Sequence, residues 1–280
     1  MEKRDNLLIC VSGRKRVGKS YESLKQLIYH AYLSPNKRKG LIYDVNGEFG
    51  AYDVDGKTHR IKSITKNELL AYSKSTVPEL RRIVPVKPNG MPMDEEEAEE
   101  LLIYVVKYFR QGILMVDDLN MIFGDSMPQK FTSMLTNNAH RDCDLILQIQ
   151  SVGRLTPKLR QNINIIRMHA QLDNLDDSKG KLLGDYKILK VTQLMIDKAV
   201  KEGNQRFFCY VNRDEGTIRG HFSPKMLADA IQNFLLETPS ELSSLTQRRS
   251  TTGKKLYTFD EALKVKKLEL YEQFNGNKKP

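Results

Sequence analysis

Residues 13–20 read Gly-Arg-Lys-Arg-Val-Gly-Lys-Ser and follow the apolar run NLLICVS, Asn6–Ser12. Behind them, KSYESLKQLIYHAYL carries Leu24, Leu27, Ile28 and Leu33 at helical spacing. The order is therefore strand, glycine-bracketed loop, helix. This feature constrains the fold most, because the loop meets G-x-x-x-x-G-K-[ST] at each fixed position and sits where that pattern works. Its glycines let backbone N–H groups converge on phosphate oxygens, and the positive end of the helix adds to the attraction. A chance match in a chain this long is on the order of one in a hundred at average residue frequencies.

The rest of the chain alternates in the same way. KGLIYDVNGEFG holds an apolar run, Leu41–Tyr43, which ends on Asp44 and turns at Asn46-Gly47, and RRIVPV is a short strand ending near Pro85. Met93–Phe109 opens with acids that suit a helix N-terminus and continues with Leu101, Leu102, Val105, Val106 and Phe109 on one face. GILMVDD, Gly112–Asp118, is an apolar strand ending in two carboxylates. A polar helix at about 127–139 and the strands DLILQIQ and NIIRMHA follow it. Fully apolar strands between helices imply a parallel sheet covered on both faces, an α/β fold.

Beyond Lys190, VTQLMIDKAVKEG reads as a helix and RFFCYVNRDEGTIRGHF as a β-hairpin turning near Glu215-Gly216, expected to extend the sheet at its edge. The expected division is one domain over 1–236, a flexible linker over 237–257, where TPSELSSLTQRRSTTGKK is polar, and a C-terminal helix and tail over 258–280.

Composition narrows the classes of function. With 280 residues, 40% of them hydrophobic, the chain buries a full α/β core, and a formal charge of +10 favours an anionic partner. No apolar window reaches the roughly eighteen residues of a membrane helix, so a soluble, cytoplasmic protein is expected. Cys10, Cys143 and Cys209 stand in or beside apolar runs without zinc-ligand spacing and read as buried thiols.

The loop supplies the candidate nucleotide site: Gly13, Arg14, Lys15, Arg16, Val17, Gly18, Lys19, Ser20 and the adjoining Tyr21. Lys19 is expected to neutralise β- and γ-phosphates and the Ser20 hydroxyl to ligate Mg²⁺. A carboxylate at the end of a neighbouring strand holds such a metal, which assigns Asp117 to the metal shell. Asp118 is then the general base that polarises water, with a helix N-cap as its structural alternative. The expected cofactors are ATP and Mg²⁺.

Taken in order, GRKRVGKS, LIYDVNGEFG, GILMVDD and HRDCDLILQIQSVGRLTPKLRQN resemble the FtsK-HerA superfamily of P-loop motors over residues 6–170. That superfamily includes viral and phage genome-packaging ATPases, conjugation ATPases and Zot-like assembly proteins. The resemblance implies a P-loop NTPase (RecA-like) mainly parallel sheet flanked by helices, to which the C-terminal hairpin and helical tail are added. It implies ATP hydrolysis by a homo-oligomeric ring, most simply a hexamer, that translocates double-stranded DNA through contacts to the DNA backbone. The small size points to a viral or mobile-element protein acting in the host cytoplasm, with a capsid or assembly partner.

By the same resemblance Gln150 is the γ-phosphate sensor, with Gln148 the competing assignment. Arg141 is the first candidate, and Arg160 the second, for an arginine acting on a neighbouring subunit's site. Glu48 matches the acid of the family's D-x-x-G-E run, and Asp118 stands where the family commonly has glutamate. The alternatives are a Zot-like assembly ATPase acting on proteins, a nucleotide-dependent switch, or a nucleoside kinase sharing only the loop.

Overall fold

In a computed structural model of the chain, residues 6–54, 57–124, 128–136 and 142–276 are described. Contacts divide the chain into two compact units, 1–165 and 166–280; the domain expected over 1–236 spans both.

The first unit contains β1 (Leu8–Ser12), α1 (Lys19–Ile28), β2 (Lys39–Tyr43), β3 (Ala51–Val54), β4 (Lys57–Arg60), β5 (Lys62–Ser63), α2 (Leu69–Lys74), β6 (Leu80–Ile83), α3 (Glu95–Tyr108), β7 (Gly112–Val116), α4 (Asn120–Phe123), α5 (Gln129–Thr136), β8 (Cys143–Ile149) and α6 (Pro157–Asn162). Six strands lie in the order β1-β8-β7-β2-β6-β5, and each neighbouring pair is parallel. In β1, β2, β7 and β8 every residue is buried, which is why these segments read as continuous apolar runs rather than alternating ones. Ile9, Val11, Ile42, Ile113, Met115 and Ile146 of these strands pack with Leu27 and Ile28 of α1 in one core.

β1 and β2, consecutive in the first half of the chain, are separated in the sheet by β8 and β7, which are added between them later. Parallel α/β sheets bind ligands at the C-terminal ends of their strands, and the loop after β1 opens at that end. At the opposite edge, Asp144 ties the strand starts together. It accepts from the Leu7 N–H at 3.0 Å and from the Arg38 guanidinium, which also donates to the Gly112 carbonyl at 2.8 Å. Gly112 has no room for a side chain: a Cβ there would stand 2.7 Å from the Lys39 carbonyl oxygen.

The sequence-based expectations for this unit need one addition. Residues 51–54 and 57–60 pair antiparallel, β3 with β4, which the turn at Asn46-Gly47 did not announce. The polar helix expected over about 127–139 is observed as Gln129–Thr136.

β9 (Ile165–Met168) begins at the boundary. The second unit continues with α7 (Lys179–Leu182), α8 (Tyr186–Lys201), β10 (Cys209–Asn212), β11 (Thr217–Arg219), α9 (Pro224–Glu237), α10 (Ser243–Thr246) and α11 (Phe259–Phe274). β10 and β11 pair antiparallel across the expected Glu215-Gly216 turn, with Gly216 at φ 66°. α9 packs on α8 and α11 through Leu227, Ile231 and Phe234, and Ser223 caps it by accepting from the Met226 N–H at 3.1 Å. α11 starts with a capping box between Thr258 and Glu261.

The segment expected as a linker over 237–257 begins with two helical turns, Pro239–Leu242 and α10, whose Leu242 and Leu245 are buried. Two leucines in a polar run suffice to anchor it. Cys10, Cys143 and Cys209 are buried free thiols, and burial pushes Cys10 and Cys209 up to about 12.

Candidate functional site

The loop between β1 and α1 is fixed first by its backbone. The Gly13 N–H donates to the Ile149 carbonyl at 3.3 Å, tying the loop's entry to the end of β8. Gly18 sits at φ 89° immediately before α1, a conformation that favours glycine, and no side chain caps the helix. The first-turn N–H groups of α1 are thus left for an external acceptor. Arg16 takes φ 65° without being glycine, at a cost of about 1 kcal/mol, so its exposed side chain is aimed by a strained backbone. Val17 is 2% exposed and plugs the loop into the core, whereas Lys15 is exposed and Arg14 half-buried. Tyr21 lies on the exposed side of α1.

The loop is closed on itself by its lysine. Lys19 Nζ donates to the Gly13 carbonyl and, at 2.9 Å, to the Arg14 carbonyl. Burial lowers the Lys19 pKa, and the charges of Asp118 and Asp117 pull it back up.

Ser20 Oγ is the meeting point of the site. It lies 3.4 Å from Asp117 Oδ1 and 3.3 Å from Gln148 Oε1, which joins α1 to the ends of β7 and β8. Asp117 is placed by its own N–H, which donates to the Tyr43 carbonyl at the end of β2 at 3.1 Å. Its carboxyl is 4% exposed and is pushed up to about 6, chiefly by burial and then by the charges of Asp118, Glu48 and Asp44, against a hydrogen bond from Asn46. A cation here would offset this concentration of negative charge.

Of the two glutamines weighed for the sensor position, the structure brings Gln148 to Ser20 and places Gln150 one step further out. Gln148 is 1% exposed, and its Nε2 contacts Met115 Sδ at 3.5 Å. Gln150 Nε2 lies 3.4 Å from Asp118 Oδ1, and its N–H donates to Asn120 Oδ1 at 3.1 Å. Asp118 itself is at φ 38°, another non-glycine residue in the left-handed region. It is not the N-cap of α4, since that position falls on Leu119, whose side chain makes no capping bond.

Two further residues shape the site from behind. Asp44, fully buried, accepts from the Glu48 N–H at 2.9 Å, the Phe49 N–H at 3.0 Å and Arg82 Nη1 at 2.9 Å. Arg82 also donates to the Gly47 carbonyl at 3.2 Å and, through Nε, to Ser63 Oγ at 3.0 Å. This clamp shapes the turn that holds Glu48 and Asn46 beside Asp117. The signal for Asp44 was present, a carboxylate closing an apolar strand within the D-x-x-G-E run; Arg82 stood out only as part of the short strand RRIVPV.

Arg160 is half-buried on α6, a helix opened by Thr156 accepting from the Leu159 N–H at 3.3 Å and by Pro157. Arg141 lies outside the described residues.

Mg²⁺ fits the donors present. Ser20 Oγ, Asp117 Oδ1 and Gln148 Oε1 are the atoms that meet, oxygens suited to a hard cation, and Mg²⁺ in phosphate sites takes few protein ligands beside waters and phosphate oxygens. Among the described residues no group of three or more His, Cys, Asp or Glu side chains forms a metal cage.

No family model and no curated protein matches the sequence. Solved structures do match it. The genome packaging NTPase B204 of Sulfolobus turreted icosahedral virus 2, in complex with ATP-γS, is 19% identical, with a TM-score of 0.50 over 78% of this chain and 97% of that one. The DNA-packaging ATPase B204 of Sulfolobus turreted icosahedral virus aligns at 19% identity and TM-score 0.48, over 78% and 97% of the two chains. The N-terminal domain of zonular occludens toxin from Neisseria meningitidis aligns at 12% and 0.34, over 60% and 79%. The first likeness shows the fold, which is that of the P-loop NTPases, as the loop, the sheet order and the paired carboxylates had implied.

Proposed function

We propose that this chain is an ATPase that works as a homo-oligomeric ring and uses ATP hydrolysis to move double-stranded DNA, in the manner of a viral genome-packaging motor. The observation that carries the reading is the convergence of Ser20, Asp117 and Gln148 beside a lysine that already sits on its own loop. In this reading Lys19 leaves the Gly13 and Arg14 carbonyls for the β- and γ-phosphates, whose other oxygens take the N–H groups of residues 13–20.

Ser20 and Asp117 would hold Mg²⁺, which supplies charge neutralisation on the phosphates. Asp118 polarises the attacking water. Gln148 senses the phosphate, and Gln150 orients Asp118 from outside. Arg141, or failing it Arg160, serves a neighbouring subunit's site, so hydrolysis depends on assembly.

The formal charge of +10 supports contacts to DNA phosphates, which are independent of base sequence and weaken with salt. Within the same reading the motor acts in the host cytoplasm against a capsid partner. Among the described residues no helix is long and apolar enough to cross a membrane.

The test is ATP turnover by the purified chain with and without double-stranded DNA. Stimulation by DNA that is abolished in Lys19→Ala, and lost in Arg141→Ala with nucleotide binding intact, supports the motor. Turnover that DNA neither stimulates nor binds to sinks it, and an assembly ATPase acting on protein takes its place.

A further inference from the structure

On the second unit, α9 and α11 leave a groove of about 450 Å³ between them, floored by Pro224, Ala228 and Leu268 and edged by Lys225, Lys264 and Lys267. Leu268 is 59% exposed, and Val265 one turn before it is also exposed. An apolar floor inside a basic edge selects an occupant that is apolar at its tip and acidic around it.

The same chain displays such an element on its first unit. Residues 94–100, Asp-Glu-Glu-Glu-Ala-Glu-Glu, crowd six carboxylates into seven positions of a chain whose formal charge is +10. The capping box of α3 uses only Asp94 and Glu97, and Glu97 also takes Lys87 at 2.8 Å. Glu95, Glu96 and Glu100 are exposed beyond what the helix start requires.

Directly ahead of them, a tight turn presents apolar side chains. The Lys87 N–H donates to the Met91 carbonyl at 2.7 Å, Val86 bridges Pro92, and Met91 and Val86 are 61% and 43% exposed.

We propose that the occupant of the α9/α11 groove is a second copy of this chain, which seats the Met91 turn on Leu268 and sets the acidic start of α3 against Lys225, Lys264 and Lys267. Copies of so basic a chain repel one another, and this pairing brings opposite charges together at one place. Because two different patches meet, the contact is head-to-tail. It repeats from copy to copy and generates a ring where the rotation closes. The inference rests on the ring reading above and gives that ring its surfaces.

Sedimentation velocity at low salt tests it on the full chain. The wild type is expected to self-associate. Lys225→Glu with Lys264→Glu, and separately Glu96→Lys with Glu100→Lys, should each weaken association by about tenfold or more. An equimolar mixture of the two variants, or the four substitutions combined, should recover it. Every position changed is solvent-exposed, and recovery on mixing shows that both variants are folded.

A monomeric wild type, reversals without effect, or reversals without mutual rescue overturn the proposal. So does a loss of DNA binding by the lysine reversals with assembly untouched, which makes the groove a nucleic-acid surface. Binding of a fluorescent ATP analogue by the wild type and by both variants separates the two readings. If it persists while assembly fails to follow the charges, the interface is wrong and the nucleotide site stands.

Discussion

Two desolvated lysines stand at opposite edges of the same parallel sheet, Lys39 at the start of β2 and Lys19 beyond the end of β1. Burial lowers the pKa of both. Lys39 is 3% exposed and its ammonium donates to the carbonyls of Tyr72, Ser73 and Ser75 at the C-terminus of α2, the latter at 2.7 Å, with Tyr72 and Phe109 rings beside it. All three of its protons are used, and by acceptors that a helix end leaves spare.

Lys19 borrows the Gly13 and Arg14 carbonyls from the very loop that would wrap a phosphate, and the charges of Asp118 and Asp117, just past the end of β7, act on it. The first arrangement is finished without a ligand. In the proposed function, the second is held in place until a ligand replaces the loop's own oxygens. A lysine's burial alone does not separate structure from function, but the origin of its acceptors does.

The contrast is open to direct attack. The largest effect is expected from Lys19→Ala, which should lower ATP turnover by about 10³-fold or more while leaving the thermal midpoint within about 2 °C. Steady-state assays and thermal unfolding check the two halves, and an early melt would erase the distinction from Lys39. Conversely, Lys39→Met should cost about 3 kcal/mol in urea unfolding, because three buried carbonyls lose their donor, with turnover per folded molecule unchanged.

Next in size, Gln148→Ala should reduce turnover by about 10²-fold and Gln150→Ala by less than about tenfold. The reverse ranking returns the sensor to Gln150.

The smallest effect concerns stability and pH. The Asp117 carboxyl, at about 6 when folded, lies above its value in the unfolded chain, so the folded state holds the extra proton between about pH 4 and 6. Stability should therefore fall as pH rises through that window and level off above it. Asp117→Asn should remove that slope and gain about 2 kcal/mol at pH 7 in thermal unfolding, even as hydrolysis is lost. No difference in slope between the two proteins would mean that Asp117 is not held protonated.

The outline of the first unit was legible because its signals are local. A glycine loop after an apolar run, and two acids after GILMV, mark strand ends without any knowledge of the sheet. What escaped depends on neighbours. In β8 all seven residues are buried, so period-two alternation gives no face to choose by, and which of two nearby glutamines turns toward Ser20 is decided by its partners on α1 and β7. Asp44 and Arg82 are 38 positions apart and meet only because β2 and β6 are paired. The polar composition of 237–257 hid two leucines that are buried by packing, not by pattern.

The three thiols have a practical consequence. All are enclosed, and at about 12 for Cys10 and Cys209 almost none of the reactive anion exists at neutral pH. The native chain should be silent to maleimides and indifferent to mild oxidants. A single cysteine introduced at an exposed position, Met91→Cys or Leu268→Cys, would then be the sole accessible thiol on its surface. Dyes, spin labels or a disulfide between separately labelled copies could report the spacing of neighbours without first stripping the protein of its own sulfur.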